Sequence, residues 1–257
     1  MNHVQVVAHR GFSSEEPEHS LAAYLRAVEA GADAVECDVR MTADGTLVLV
    51  HDRRIDRTSG GKGVVSDFLL SDLQEHTFGG SGWHDFEDPQ SELRNRLLTL
   101  ESFLGAMLEA SDTLEFAIET KHPTRFGKYI EVELVDVLKK MGLLKGGLAP
   151  RVRIMSFART AVTRVHELLP QVRTVFLVAH NPVVYRDGHL PEGAYALGPG
   201  IDVVRKHPEV VRKVKAKGGQ VHVWTVDERE DFELCVELGV DAIITNRPAK
   251  VLSWLGR

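Results

Sequence analysis

The chain has 257 residues, is 43% hydrophobic and 26% charged, and carries a formal net charge of −6. Those totals describe a globular protein with a sizeable core and lack the clustered basic excess that nucleic-acid binding requires. No window approaches the roughly 18 uncharged apolar residues that span a bilayer, so no stable membrane association is expected.

Cys37 and Cys235 stand too far apart for metal-type spacing and read as small buried groups in a reducing compartment. The N-terminus enters a strand with no basic-then-apolar leader, so the expected location is cytoplasmic. Short β-branched runs then alternate with amphipathic stretches along the whole chain. The expected strands are 4–8 (VQVVA), 34–39 (AVECDV), 114–119 (LEFAIE), 152–156 (VRIMS), 173–178 (RTVFLV), 201–204 (IDVV), 220–226 (QVHVWTV) and 241–245 (DAIIT). Helical periods lie between them. Leu21, Tyr24, Leu25 and Val28 fall at i, i+3, i+4 and i+7, with Gly31 placed as the C-terminal cap. Val132, Val135 and Leu138 line one face before Gly142, and Val210, Val211 and Val214 precede Gly218.

Eight strands alternating with helices in a chain of this length predict an α/β fold of the (β/α)8 TIM-barrel type, forming one domain over 1–257. A doubly wound open sheet is the alternative, because 201–204 is a weak strand. The first strand is not followed by G-x-G-x-x-G, which lowers the dinucleotide-binding version of that sheet. Residues 40–98 break the alternation with an extra strand (TLVLVHD) and a polar, glycine-rich section. This span reads as a small insertion after strand 2, with 52–98 covering the barrel mouth.

Costly side chains gather where strands end. His9 and Arg10 end the first strand, Glu36 and Asp38 the second, and Glu119 and Lys121 the third. Residues two apart share a side, and the C-terminal rim of a barrel carries the active site. Taken singly, each acid is as well explained by solvation or pairing. Three at consecutive strand ends suit a hard divalent cation, Mg²⁺ or Ca²⁺, bound through oxygen. Asp44-Gly45 signals a two-residue hairpin whose register sets Asp38 opposite His51, beside the carboxylates. With such a cation bound, Arg10 and Lys121 leave the pocket with a single net positive charge, matched to a phosphodiester. His9 and His51 flanking it suit general acid–base cleavage.

The motifs AHRG, PEHS, ECDVRMTADGTLVLVHD, IETK, WTVD and DAIITNRP, in that order from residue 6 to about 248, resemble the glycerophosphodiester phosphodiesterase family. The resemblance implies a TIM barrel with an insertion after the second strand and metal-dependent hydrolysis of glycerophosphodiesters to an alcohol and sn-glycerol 3-phosphate. It makes His9 and His51 the acid/base pair, and Glu36, Asp38 and Glu119 the metal ligands. Arg10 and Lys121 would hold the phosphate, and the insertion motif is echoed in Asp56 to Gly63. Two departures stand out: His19 replaces the family's asparagine after PE, and LLTL (Leu97–Leu100) replaces IPTL.

Which histidine is base and which acid stays open, as does a cyclic phosphate intermediate against direct attack by water. Trp224 suits an apolar wall for the glycerol carbons or simple barrel packing. His222 reads as core or as support behind the site. His180 has a leaving-group contact only as its lesser reading, and Trp83 and Phe86 suit local packing better than a lid. Asn246 and Arg247 close the last strand without a derivable role. The expected partner is a small-molecule glycerophosphodiester. Two alternatives remain: a phospholipase D-like enzyme acting on lysophospholipid or sphingomyelin, and a non-catalytic phosphate-binding protein.

Overall fold

The structure, a computed structural model, describes residues 4–80, 91–145, 147–180, 185 and 187–257. Nine strands form one sheet: β1 (Gln5–His9), β2 (Ala34–Met41), β3 (Leu47–Leu49), β4 (Glu115–Thr120), β5 (Val152–Ser156), β6 (Arg173–Val178), β7 (Ala196–Pro199), β8 (Gln220–Val223) and β9 (Ala242–Thr245). Eight of them run parallel and close on themselves through the β1–β2 and β1–β9 pairings, while β3 adds to β2 antiparallel. Closure removes the exposed edges that an open sheet must otherwise protect. The TIM-barrel expectation holds, and the doubly wound alternative falls with that closure.

Ten α-helices are described: α1 (Leu21–Glu29), α2 (Leu70–Gln74), α3 (Ser91–Asn95), α4 (Leu100–Ala110), α5 (Tyr129–Lys140), α6 (Arg159–Leu168), α7 (Ile201–Lys206), α8 (Pro208–Ala216), α9 (Arg229–Glu237) and α10 (Pro248–Trp254). Helix α1 starts where Ser20 accepts a hydrogen bond from the Ala23 amide, and α4 starts at the capping box of Thr99 and Ser102. Apolar faces pack outward from the barrel wall in two large clusters, one around β2, β4, α4 and α5 and one around β8, β9 and α8–α10. Inside the barrel, Val7, Ala34, Ala117, Met155, Val175 and Ile244 form an apolar plug. Below it, buried Arg153 donates to Gln5 (2.6 Å) and Glu115 (3.2 Å). The plug and floor leave one open end, at the C-terminal tips of the strands.

Three sequence expectations need correction. Residues 201–204 are helical, and the seventh barrel strand is Ala196–Pro199. Its sequence, ALGP, has no β-branched residue, so local propensity gives no strand signal. Pairing with β6 and β8 on both sides imposes the conformation instead. At Gly198 a Cβ would lie 2.6 Å from Leu177 Cδ2, so any side chain there requires Leu177 to shift. Val132 is 37% exposed, and α5 turns Ile130, Leu134, Val135 and Leu138 inward.

The third correction concerns the hairpin. The Thr42 amide bonds the Thr46 carbonyl (3.0 Å), so the loop has three residues, closed by Gly45 at φ +88. Register therefore slips by one: Val39 faces Leu49, and the Val50 amide donates to the Asp38 carbonyl at 3.2 Å. Asp38 stands opposite Val50, not His51. Residues 42–99 also hold a small core of their own, with Val48, Val50, Ile55, Val65, Leu73, Phe78 and Leu97. The LLTL departure is absorbed as packing, since Leu97, Leu98 and Leu100 are all buried.

The chain leaves β1 through two left-handed residues, Arg10 (φ +57) and Gly11 (φ +83). At Gly11 a Cβ would meet the Ala23 carbonyl carbon at 2.7 Å, so α1 packs directly on the turn. Gly11→Ala is expected to cost about 3 kcal/mol from left-handed strain plus overpacking against backbone. Urea unfolding checks this, and an unchanged midpoint would contradict the stated packing.

Candidate active site

A cavity of about 120 Å³ opens at the strand tips. His9, Arg10, Glu36, His51, Glu119 and Lys121 line its polar half, while Met155, Phe157, Leu177, Trp224 and Ile244 line the apolar half. Strand register accounts for most of the convergence, because His9 pairs with Glu36 across β1–β2 and Asp38 with Glu119 across β2–β4. His51 arrives differently. It lies two residues past the end of β3, where Arg40 donates to its carbonyl through Nε (2.9 Å) and Nη2 (2.7 Å).

Glu36, Asp38 and Glu119 are buried, and one oxygen from each lies within 4.8 Å of the others. Oxygen ligands around one Mg²⁺ or Ca²⁺ sit about 2.0–2.6 Å from it, so this spacing fits a single ion. Asp38 is the hub of the charges. Lys121 Nζ lies 3.0 Å from Asp38 and 2.8 Å from Glu119, while Arg10 Nε and His19 Nε2 approach Asp38 at 3.2 and 3.0 Å. Burial pushes the Asp38 carboxyl up, but the His19 hydrogen bond and the Lys121 charge outweigh it and hold Asp38 well below the usual range. The other two carboxyls go the opposite way. Burial, then repulsion by Asp38, drives Glu36 well above the ordinary range and Glu119 up to about 8. Without an added cation, the three cannot all stay ionised at neutral pH, so their chemistry fits a divalent ion.

The two histidines are held by different partners. Asn246 donates from Nδ2 to Asp227 Oδ2 (2.6 Å), which turns its carbonyl oxygen toward His9 Nδ1 at 2.7 Å. An amide oxygen only accepts, so His9 carries its proton on Nδ1 and leaves Nε2 as a lone pair. That nitrogen lies 4.0 Å from Glu36. Burial and then the Arg10 charge lower His9 to about 4, so it is neutral at physiological pH. His51 Nδ1 instead meets the Asp52 carboxylate at 2.7 Å, and burial lowers its pKa as well. Burial acts to raise Asp52, but hydrogen bonds from Arg57 and His51 bring it down to about 2. Arg57 also bonds Glu18 at 2.7 and 2.8 Å, and Glu18 accepts from Arg10 at 3.2 Å. The mouth is thereby tied to the segment that follows β3.

Trp224 Nε1 donates to the Gly198 carbonyl (2.8 Å), and its ring meets Phe157 edge to face at 5.4 Å. His222 is buried beneath it, and His180 is exposed and outside the cavity lining. Trp83 and Phe86 lie outside the described residues. Sequence reasoning missed Asp52, Arg57, Asp227 and Phe157, and found no role for Asn246. The adjacent His-Asp pair at 51–52 was a readable signal for one of them. His19, noted only as a departure, is buried at φ +62 and links Asp38 to Tyr24 Oη (2.8 Å), which donates to the Glu36 carbonyl at 3.2 Å.

A family model described as the Glycerophosphoryl diester phosphodiesterase family matches residues 9–250. The chain is 41% identical over 256 residues to "Probable glycerophosphodiester phosphodiesterase 1" of Mycobacterium tuberculosis, covering 98% of this chain and 93% of that one. It is 33% identical over 252 residues to the glycerophosphodiester phosphodiesterase of Bacillus subtilis, covering 95% and 84%. Among solved structures, an Oleispira antarctica phosphodiesterase in complex with the product sn-glycerol-3-phosphate superposes with a TM-score of 0.83 at 24% identity, over 98% and 97% of the two chains. The match of the family model along nearly the whole chain, with a relative 41% identical over 98% of it, means that this chain belongs to the glycerophosphodiester phosphodiesterase family.

Proposed function

We propose that the protein hydrolyses glycerophosphodiesters to an alcohol and sn-glycerol 3-phosphate, using a divalent cation held by Glu36, Asp38 and Glu119. The observation that carries this reading is one cavity, lined by two histidines with Nδ1 held from behind, next to three carboxylates spaced for one ion. When bound, Mg²⁺ or Ca²⁺ supplies Lewis acidity and positive charge to the phosphoryl group. Arg10 and Lys121 add positive charge at the same rim, and Trp224 with Phe157 gives the glycerol carbons an apolar wall.

His9 acts first as base. Its free Nε2 takes the proton either from water, which then bonds to phosphorus directly, or from the substrate hydroxyl beside the phosphoester. The hydroxyl route forms a cyclic phosphate, which water opens in a second step by breaking the new ring bond. His51, whose imidazolium form Asp52 stabilises, protonates the departing alkoxide as the phosphorus–oxygen bond breaks. Asp227 and Asn246 act through His9 by fixing its tautomer, and are positioning residues. We read the insertion 52–98 as a cover over the mouth on its described residues, 52–80 and 91–98, supported by the ion pairs Arg57–Glu18 and Arg94–Glu16. The buried free thiols Cys37 and Cys235 suit a reducing, cytoplasmic location. Among the described residues, no helix is long and apolar enough to cross a membrane.

Chelation is expected to abolish turnover of glycerophosphocholine, and Mg²⁺ or Ca²⁺ to restore it. Turnover that survives chelation would remove the metal role, and cleavage of lysophospholipid alone would favour the phospholipase D-like reaction.

His9→Ala and His51→Ala should each lower kcat by about 10²–10⁴-fold. Both variants should keep the cation-induced rise in Tm. Asn246→Leu should lower kcat with little change in KM, and an unaltered kcat would take the tautomer-fixing role from Asn246.

The cation competes with the proton on Glu119, whose pKa stands at about 8. Protons win below that pKa, so cation affinity falls as pH drops. Thermal-shift titrations at about pH 6 and about pH 9 should give dissociation constants at least about tenfold apart, weaker at the lower pH. Equal constants would contradict the raised Glu119 pKa.

A further inference from the structure

Beside the central cavity lies a second one of about 280 Å³, and Lys121 lines both. Its other charged lining residues are Arg40, Arg53 and Arg125, with the hydroxyls of Ser66 and Thr124 between them. No carboxylate lines it, although the chain as a whole carries −6. Among the described residues the Arg53 side chain makes no hydrogen bond or ion pair. Arg125 has one ion-pair partner, Asp67, at 2.8 Å, both more than half exposed (51% and 59%), and its guanidinium lies over the Phe126 ring at 5.0 Å, a contact that leaves the charge in place. Exposed pairs of that kind contribute little, so the Arg125 charge remains available to a ligand. Arg40 is committed through Nε and Nη2 to the His51 carbonyl. Burial and, further, the neighbouring charge of Arg53 depress it below the ordinary value for a guanidinium.

The cavity on the other flank is the control. It measures about 370 Å³ and also contains arginines, but there Arg57 is paired with Glu18 and Arg94 with Glu16, both acids of the cavity wall, while Arg96 has an exposed pair with Glu92 comparable to that of Arg125. One flank of the mouth carries acids in its wall beside its arginines, and the other gathers positive side chains with no acid in its wall. Like charges gathered in a concave wall raise the local concentration of anions. The apolar wall of Trp224, Phe157 and Met155 accommodates the glycerol side of a diester, which leaves the Lys121 side for the departing alcohol.

We propose that the groove of Arg40, Arg53 and Arg125 binds a second anionic group carried by the leaving alcohol, so that the favoured substrates are glycerophosphodiesters with another phosphoryl anion on the leaving side. The inference rests on the reaction proposed above and names its substrate class.

A matched pair of substrates tests it: glycerophosphoglycerol, and 1,3-bis(glycerophospho)glycerol, which adds one further anionic diester. The wild type should show a KM about tenfold lower for the larger compound, beyond the roughly twofold advantage of its two equivalent bonds. That preference should shrink as salt rises. The double charge reversal R53E/R125E should erase it while leaving kcat and KM for glycerophosphoglycerol unchanged, and R53K/R125K should retain it. Equal KM values in the wild type, or equal losses on both substrates in R53E/R125E, would overturn the proposal. So would stimulation of glycerophosphoglycerol turnover by inorganic phosphate without any substrate preference, since the groove would then serve a free anion. Calorimetric binding of the larger compound to His9→Ala, with and without R53E/R125E, reads the groove without turnover. If neither compound is cleaved, the reaction is wrong, and this binding comparison still decides the groove: weaker binding with the charge reversal supports it, and equal binding overturns it.

Discussion

Three carboxylates withdrawn from water at the ends of adjacent strands are the constraint around which the rest of this structure is arranged. Removing even one such charge from solvent costs several kcal/mol unless partners compensate. Asp38 receives those partners in excess: Lys121, Arg10 and His19 all converge on it. Glu119 has Lys121 alone and Glu36 the Arg10 amide, so burial with Asp38 beside them pushes both carboxyls upward. That imbalance is what suits the place to the divalent cation proposed above, rather than to a set of structural salt bridges. A divalent ion relieves at once the repulsion that the side chains leave unresolved.

The same constraint shapes the loops. The turn after β1 takes two left-handed residues, which points the Arg10 amide at Glu36 Oε2 (3.0 Å) and brings its guanidinium to Asp38. Glu18 then joins Arg10 to Arg57, and Arg57 joins Asp52 to the rim. Each link is a charge-assisted hydrogen bond, and together they hold His51 over the mouth although β3 ends two residues earlier. His9 needs no such chain of ions. A neutral amide, locked by Asp227, is enough to fix its tautomer.

His19 shows how a departure from the family pattern is accommodated. An asparagine in its place would tolerate the left-handed backbone more easily. The imidazole instead spans from Asp38 to Tyr24 and is buried, 6% exposed, so its strain is offset by two side-chain hydrogen bonds. Tyr24 is itself fully buried against Phe103 at 4.4 Å, which ties the metal-side carboxylates to the packing of α1 and α4.

The sequence alone was enough to place β1, β2, β4 and their terminal residues, because a buried parallel strand needs an apolar run and a functional one ends in groups that cost free energy to bury. Placing His9, Glu36, Asp38, Glu119 and Lys121 at one end required only strand periodicity and the barrel's right-handed closure. The strand Ala196–Pro199 was not legible, since its conformation is imposed by neighbours on both sides rather than by its own residues. Nor was the approach of His51: a one-residue change in loop length reversed the face of every residue beyond it, and only the three-residue loop at Ala43–Gly45 decided the register. The partners Asp227, Asn246, Asp52 and Arg57 lay beyond sequence for the same reason. Periodicity along a strand is local, whereas hydrogen bonds between segments up to 237 residues apart, as from His9 to Asn246, exist only once the barrel has closed.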